Sequence, residues 1–338
     1  MKYVRLGIVV LVLALAALSL RPSMIPVGDT NLALTIPFAQ VFAMRGLVAA
    51  GIAILGLVVL VVALVRLSVF RRGALTAVLG AGLLAVAAIH WFTLAGRGMD
   101  VTSALPPDRG LTHVSEGNGA VTVLSYNTLG GATSMGQIAT VVVDNGVDVI
   151  VLTETSTERG EALVAQLADL GLSYTLHDSN ADQYRPEIES TVVLTSSALG
   201  EYREREPLDL RWGSLRLVST TGASPDIIAV HPVSPNADTE AEWRDEISTV
   251  YAMCDSFNNT IMAGDFNSTV DHMEATGNAC TSALDGTVGG VGTWPANVPA
   301  VFGSPIDNVW TDLETEAATI VEVGDSDHRG VLVRLARK

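Results

Sequence analysis

Eight polar residues follow or lie beside short β-rich runs. Asn127 follows VTVLSY, Glu154 follows VDVIVLT, His231 follows DIIAV, and Asp265 and Asn267 follow TIMAG. Asp307 lies in SPIDNVW, and Asp327 and His328 lie in GDSDHRG. Each alone reads as a strand-end cap or turn residue, but a sheet that aims all of them into one cleft would assemble a reaction site. Hard oxygen ligands such as Glu154 and Asp327, assisted by the amide oxygen of Asn127, suit Mg²⁺ or Mn²⁺ rather than zinc, which favours Cys and several His. Hydrolysis of a phosphate ester needs a Lewis acid on the phosphoryl oxygen, a group that activates water, and donors that stabilise the transition-state charge. This set offers all three.

The elements that must position these residues are predicted strands at 121–126, 147–152, 191–195, 215–219, 227–230, 260–263, 306–309 and 331–335. Helical spacing predicts helices over 134–145, 157–170 and 239–257, the last capped by Asp238 or Thr239. Many short strands with few helices between them imply two packed sheets with flanking helices. Cys254 and Cys280, the only cysteines, could bridge around the turn from Gly264 to Asn267, or remain buried thiols.

The chain before this region has another character. With 49% hydrophobic and 17% charged residues and a mean hydropathy of +0.38, the protein is too apolar for one soluble domain. Residues 1–100 carry eight Lys/Arg and two Asp/Glu, net +6, whereas 101–338 carry twelve and thirty-four, net −22. Three apolar stretches, at about 6–20, 46–65 and 74–96, contain no Lys, Arg, Asp or Glu. The second and third are long enough to cross hydrocarbon as helices. The first, behind Lys2 and Arg5, resembles a signal peptide as much as a span, although Leu20 is a poor cleavage residue and Arg21 can snorkel. Residues 1–97 therefore read as a three-helix membrane anchor, 98–119 as a linker, and 120–338 as the catalytic domain. Lys2, Arg5, Arg66, Arg71 and Arg72 place the N-terminus and the second connection in the cytoplasm, which leaves the C-terminal domain outside. Within the third stretch, His90 and Trp91 read as an interfacial pair, with no intramembrane partner in view for a proton relay.

From about Ala120 onward the chain resembles the endonuclease/exonuclease/phosphatase superfamily, which includes DNase I-like nucleases, inositol-phosphate phosphatases and neutral sphingomyelinases. Its motifs come in family order: LSYNT, LTET, IEST, AVHPVSP, GDFN, PIDNVW and SDHRGVLV. The resemblance implies a four-layer α/β sandwich. It also implies that Glu154 forms the principal metal site, with Asn127 nearby and Asp327 contributing. Asp265 and Asn267 would position water and the scissile phosphate, His328 would be the catalytic histidine with Asp307 orienting it, and His231 would donate to a phosphoryl oxygen. Either Asp265 or His328 is the base, and one or two metals bind. The chain departs from the family at Gly330, where many members have Pro, and at Thr191, where Ser190 would be followed by Gly. A counterpart to the tyrosine of the DNA-repair branch is not identifiable.

A nuclease acting on bulk DNA neutralises phosphates with Lys and Arg, and a domain of net −22 repels that polyanion. The one dense basic run, Arg203, Arg205, Arg211 and Arg216, reads as a solvated edge. A membrane tether raises the local concentration of lipid head groups, which favours a lipid phosphate or polyprenyl pyrophosphate as substrate. The architecture is also similar to that of the VanJ-type teicoplanin-resistance membrane proteins, a resemblance that implies dephosphorylation of undecaprenyl pyrophosphate. An extracellular nuclease or nucleotide hydrolase, and a catalytically silent envelope binding protein, are the alternatives. Nothing in the sequence bears on oligomeric state.

Overall fold

The computed structural model describes residues 2–113, 119–181 and 185–337. Helix α1 (Lys2–Leu18) leads into a two-strand hairpin, β1 (Pro26–Val27) with β2 (Thr30–Asn31), and a short helix α2 (Phe38–Ala43). Two long apolar helices follow, α3 (Arg45–Phe70) and α4 (Ala74–Arg97), both long enough to cross a bilayer. The outer face of α3 exposes Ile54, Leu57, Val58, Val61, Leu64 and Val65. A contiguous apolar face of this kind is not the buried core helix of a soluble domain.

A six-stranded sheet runs in the order β12 (Thr315–Val321), β13 (Gly330–Leu335), β3 (Val121–Asn127), β4 (Val149–Thr153), β6 (Thr191–Ser196), β5 (Tyr174–Asp178). It packs on a five-stranded sheet in the order β11 (Asp307–Thr311), β10 (Thr260–Asp265), β9 (Asp226–Val230), β8 (Ser214–Ser219), β7 (Tyr202–Arg205). The strands alternate between two apolar faces. Val121, Val123, Val149 and Val151 meet Leu217, Ile227, Ala229, Ile261, Ala263 and Val309 between the sheets. The intervening Leu124, Tyr126, Ile150 and Leu152 pack outward against α5 (Met135–Asn145) and α6 (Thr157–Asp169). On the far side Ile228, Val230 and Met262 pack against Trp243, Ile247 and Tyr251 of α8 (Glu240–Ala252). A single turn, α7 (Pro186–Glu189), precedes β6, and α9 (Val270–Ala275) follows β10. The result is the four-layer α/β sandwich that the motif order implies.

Local signals account for the helix limits. Ser134 and Gln137 form a reciprocal capping box at the start of α5, which ends at Gly146 in the left-handed region. The expected helix over 239–257 stops being α-helical at Ala252 and tightens to a 3₁₀ turn over Met253–Ser256. The Cys254–Cys280 disulfide forms there, with a Cα–Cα distance of 5.5 Å. Besides the short β1–β2 hairpin, three strands of the sandwich lacked an expectation: β5, β7 and β12. All three are sheet edges, where one face meets solvent and the apolar signal is diluted. The exposed Arg203 and Arg205 of β7 form the solvated edge expected of that basic run.

The stretch expected to be a linker is largely exposed over 101–109 but is tied to the sandwich at separate points, while residues 114–118 lie outside the described residues. Leu105 and Leu111 are buried, Thr102 exchanges hydrogen bonds with Thr319, and Asp148 accepts from the backbone N–H groups of Leu111 and Thr112. Residues between α1 and α3 likewise join the sandwich, since Leu34 and Ala39 enter the core around α8. Sequence periodicity missed this because the segment is short and its burial comes from a distant surface.

The apolar helices and the sandwich meet at one buried carboxylate. Asp271 Oδ1 accepts from Arg45 at 2.6 Å and from Arg97 at 2.9 Å, tying the start of α3 and the end of α4 to α9. Arg45 also lies 3.1 Å from His90 Nδ1, and His90 Nε2 lies 2.9 Å from Ser19 Oγ. His90 is therefore a buried partner in this network rather than an interfacial residue, a correction that sequence could not supply because its partners are 45 and 71 residues away. Gly46 lets the backbone approach: a Cβ there would sit 1.8 Å from Val301 O.

Burial alone would raise the Asp271 carboxyl, but Arg97 and Arg45 outweigh it and hold the group at about 2. A folded-state value below that of an ordinary aspartate contributes stability above about pH 4, and that contribution is lost as pH falls through about 2. Its size is about 2 kcal/mol, whereas deleting the carboxylate strands two guanidinium groups and costs about 3–5 kcal/mol. Asp271→Ala should therefore lower the thermal midpoint of detergent-solubilised protein at neutral pH, and the wild-type midpoint should fall between pH 4 and 2. An Asp271→Ala midpoint equal to wild type at neutral pH would remove the network's assigned role.

Candidate active site

The site lies along one edge of the sandwich, and strand direction explains how distant motifs converge there. β3 runs parallel to β4, and β9 parallel to β10, so Asn127, Glu154, His231 and Asp265 all emerge at the same edge. Antiparallel β11 and β13 begin at that edge, which brings in Asp307 and the loop holding Asp327 and His328. Asn127, Asp265 and Asp307 share the parity of the inward-facing core residues, and they meet between the sheets. Glu154 is one residue past that parity, and its φ of 50° in the left-handed region turns its side chain back into the site. Thr128 Oγ1 donates to the Glu154 carbonyl at 2.8 Å and holds this turn.

One amide joins two acids. Asn127 Nδ2 donates to Glu154 Oε1 at 3.0 Å and to Asp265 Oδ2 at 3.1 Å. Its oxygen accepts from Leu129 N–H at 3.0 Å. The oxygen expected to assist a cation is thus turned away, and the amide nitrogen faces the carboxylates because those acids need a donor. Burial first, and the charge of Asp265 with it, raise the Glu154 carboxyl to about 6 against the hydrogen bond from Asn127. Asp265 is raised as well, by burial and then by Asp307, and it accepts from Asn267 N–H at 2.9 Å. Asn267 itself, at φ 45°, donates its side-chain amide to Pro232 O. Gly264, inside β10, allows the close approach of β9, since a Cβ there would lie 2.0 Å from Val230 O.

His328 is the counter-charge. Its Nδ1 lies 2.8 Å from Asp307 Oδ2, and its Nε2 lies 3.7 Å from Asp265 Oδ2. Burial would depress the imidazole, but Asp307 and Asp265 outweigh it and push it up to about 10. The loop is pinned by Ser326, which donates to Asn127 O and accepts from His328 N–H. His231 behaves in the opposite way: burial lowers it to about 4, so it is neutral at pH 7. Its Nε2 is 3.8 Å from Asp265 and 3.9 Å from Glu154, neither ring nitrogen has a hydrogen-bond partner, and the Trp212 ring packs against it at a tilt of 48° with centroids 4.9 Å apart. All eight residues singled out in the sequence are therefore brought to one edge. Asp327 is the most peripheral, with Oδ2 held by Trp294 Nε1 at 2.9 Å and Oδ1, which has no hydrogen bond, 4.0 Å from His328 Nε2.

The donor chemistry fits a hard divalent cation. Crowded buried carboxylates raised in this way, with Asp307 Oδ1 and Asp327 Oδ1 without a hydrogen bond, form a site whose charge a cation would relieve. Ligand atoms of Asp265, Asp307 and His328 lie within 4.8 Å of one another. His328 is a poor member of that trio, because an imidazolium bonded to Asp307 has no lone pair to offer. Glu154 and Asp327, which line the same cavity, are the better carboxylate ligands.

Sequence reasoning missed the rest of the lining. The cavity, of about 360 Å³, also meets Trp212, Pro235, Trp294 and Ile306, together with Gln40, Ala43 and Met44 from before α3. The two tryptophans carried no motif, and the last three lie in the part of the chain read as anchor.

This fold and site define a class of phosphoester hydrolases. The Endonuclease/Exonuclease/phosphatase family model matches residues 124–328, more than half of the chain, and the protein belongs to that family. No curated protein matches the sequence. Among solved structures, a humanized Danio rerio TDP2 is 16% identical, covering 64% of this chain and 99% of its own, with a TM-score of 0.50. An AP endonuclease from Archaeoglobus fulgidus is 14% identical over 63% of this chain and 98% of its own, at 0.46. At 16% identity the likeness to the first of these shows the fold alone, in agreement with the sandwich.

If His328 and Asp307 act as a unit, Asp307→Asn and His328→Ala should each lower kcat on a chromogenic phosphodiester by about 10²-fold or more. The double variant should be little worse than His328→Ala. Multiplicative losses would show that the two act independently.

Proposed function

We propose that this phosphoester hydrolase is anchored in a membrane by its apolar helices and acts, with Mg²⁺ or Mn²⁺, on a lipid phosphate or polyprenyl pyrophosphate outside the membrane. The observation that carries this reading is the Asp271 network, which fixes the helix ends to the helix directly after the Asp265–Asn267 loop. A site held this way faces head groups rather than bulk solution. The apolar surface of α3 supports the anchor, since leaving it in water would cost about 25 cal/mol per Å². The acidic balance of residues 101–338 opposes a polyanionic nucleic acid, and Arg203 and Arg205 sit on an edge strand that does not line the cavity.

The cation, held by Glu154 and Asp327, would supply Lewis acidity at the phosphoryl oxygen. Asp265 is the base: buried and raised, it can take a proton from water, whereas His328 is already protonated at neutral pH. His328, kept charged by Asp307, donates to the phosphoryl oxygens as negative charge builds, and neutral His231 donates beside it. Asn127 holds the two acids in register, and Asn267 fixes the loop through its bond to Asp265.

Purified full-length protein should release phosphate from lipid phosphates or polyprenyl pyrophosphates in mixed micelles with Mg²⁺ or Mn²⁺, and lose that activity with EDTA. Asp265→Ala should lower kcat by about 10³-fold. Faster turnover of plasmid DNA or free nucleotides under the same conditions would replace the lipid reading with a nuclease or nucleotide hydrolase.

A further inference from the structure

The catalytic cavity has two unlike walls. One consists of Glu154, Asp265, Asn267, Asp327 and His328, and the other includes Gln40, Ala43 and Met44 from α2 and its C-terminal end. These three positions have the i, i+3, i+4 spacing of one helix face. Ala39 is buried in the sandwich core, Phe42 is buried and stacked on Phe38 with centroids 6.1 Å apart, and Phe38 and Val41 present an outer apolar surface, 42% and 45% exposed. The helix thus places an apolar surface inside the cavity and another outside it, immediately before α3 begins at Arg45.

Polar contacts fix this short helix in place. His272 Nδ1 accepts from Thr269 N–H, which leaves Nε2 to donate to Ala39 O at 3.0 Å. Gln40 donates to Pro235 O at 2.9 Å, and the next residue after Met44 is Arg45, bound to Asp271. Asp271 and His272 are neighbours on α9, so one turn of helix sets both the docking of the apolar helices and the position of α2 over the reacting groups. Ordered water or a free phosphate would gain nothing from Ala43 and Met44 opposite the acids. A hydrocarbon chain would, and the exposed Phe38 and Val41 continue that apolar path toward the start of α3, where exposed Leu47 extends it.

We infer that α2 is a substrate-positioning wall, along which the first part of the hydrocarbon chain of a membrane lipid phosphate lies while its phosphate is held by the acids and histidines. Met44 and Ala43 contact the chain, and Phe38 and Val41 form its entry from the bilayer surface. This inference rests on the lipid-phosphate reading above and adds the element that selects the lipid over a soluble ester.

The test compares a long-chain polyprenyl pyrophosphate in phosphatidylcholine vesicles with isopentenyl pyrophosphate, which carries the same head group on a short chain, using the full-length protein. Wild type should favour the long chain in kcat/KM. Replacing Met44 by a polar side chain of similar size, Met44→Gln, should reduce the long-to-short ratio of kcat/KM about tenfold, chiefly through the KM for the long chain. Met44→Leu should retain the wild-type ratio. An equal loss on both substrates, or an unchanged ratio in Met44→Gln, would overturn the wall while leaving lipid-phosphate hydrolysis intact. Wild type that hydrolyses neither pyrophosphate, nor a lipid monophosphate in the same vesicles, would overturn both the wall and the reading on which it rests.

Discussion

Asp271 lies out of water between the guanidinium groups of Arg45 and Arg97, and Asp307 lies out of water against the imidazolium of His328. Isolated charge in a protein interior is costly enough that each must have a partner, and the partners here come from distant parts of the chain. Pairing Asp271 requires the ends of α3 and α4 to converge on α9. Pairing Asp307 requires the loop before β13 to fold onto the start of β11. The site and its orientation relative to the apolar helices thus follow from one demand, applied twice.

At the reacting edge the demand is only partly met. Glu154, Asp265 and Asp307 bring three carboxylates together, with His328 as the cation among them and Asn127 as a neutral donor. Burial and mutual repulsion raise Glu154 and Asp265, while the same carboxylates raise His328, so acids become better bases and the histidine becomes a fixed donor. His231 lies close by but gains too little from the acids to overcome its burial, and it stays neutral. Two histidines within reach of one aspartate therefore differ in charge because only one has a second carboxylate in hydrogen-bond contact. This residual negative charge is what makes a hard cation a fitting occupant.

The segment between α1 and α3 alters how the molecule divides. Composition splits the chain near residue 100, yet Leu34 and Ala39 belong to the outer core of the sandwich, and Ala43 and Met44 line its cavity. The apolar part is therefore a structural component of the hydrolase edge as well as an attachment to it. A site whose walls come from both halves couples the position of the phosphate to the position of the helices.

Much of this was legible without coordinates, and for identifiable reasons. Apolar runs marked eight of the strands, and the polar residues at or beside the ends of several of these runs marked the site, because strand period and strand ends are local properties. The edge strands β5, β7 and β12 were not legible, since half-solvated strands carry a weaker pattern. By itself the sequence determined the family, the four-layer fold and the eight polar residues that meet at one edge of it. Tertiary structure alone decided which way the Asn127 amide points, which histidine is charged, and that His90, Arg45 and Asp271 share one network. It also decided that α2 walls the cavity. Each of these depends on distance between groups far apart in the chain, and electrostatic pairing and burial are functions of that distance, not of sequence spacing.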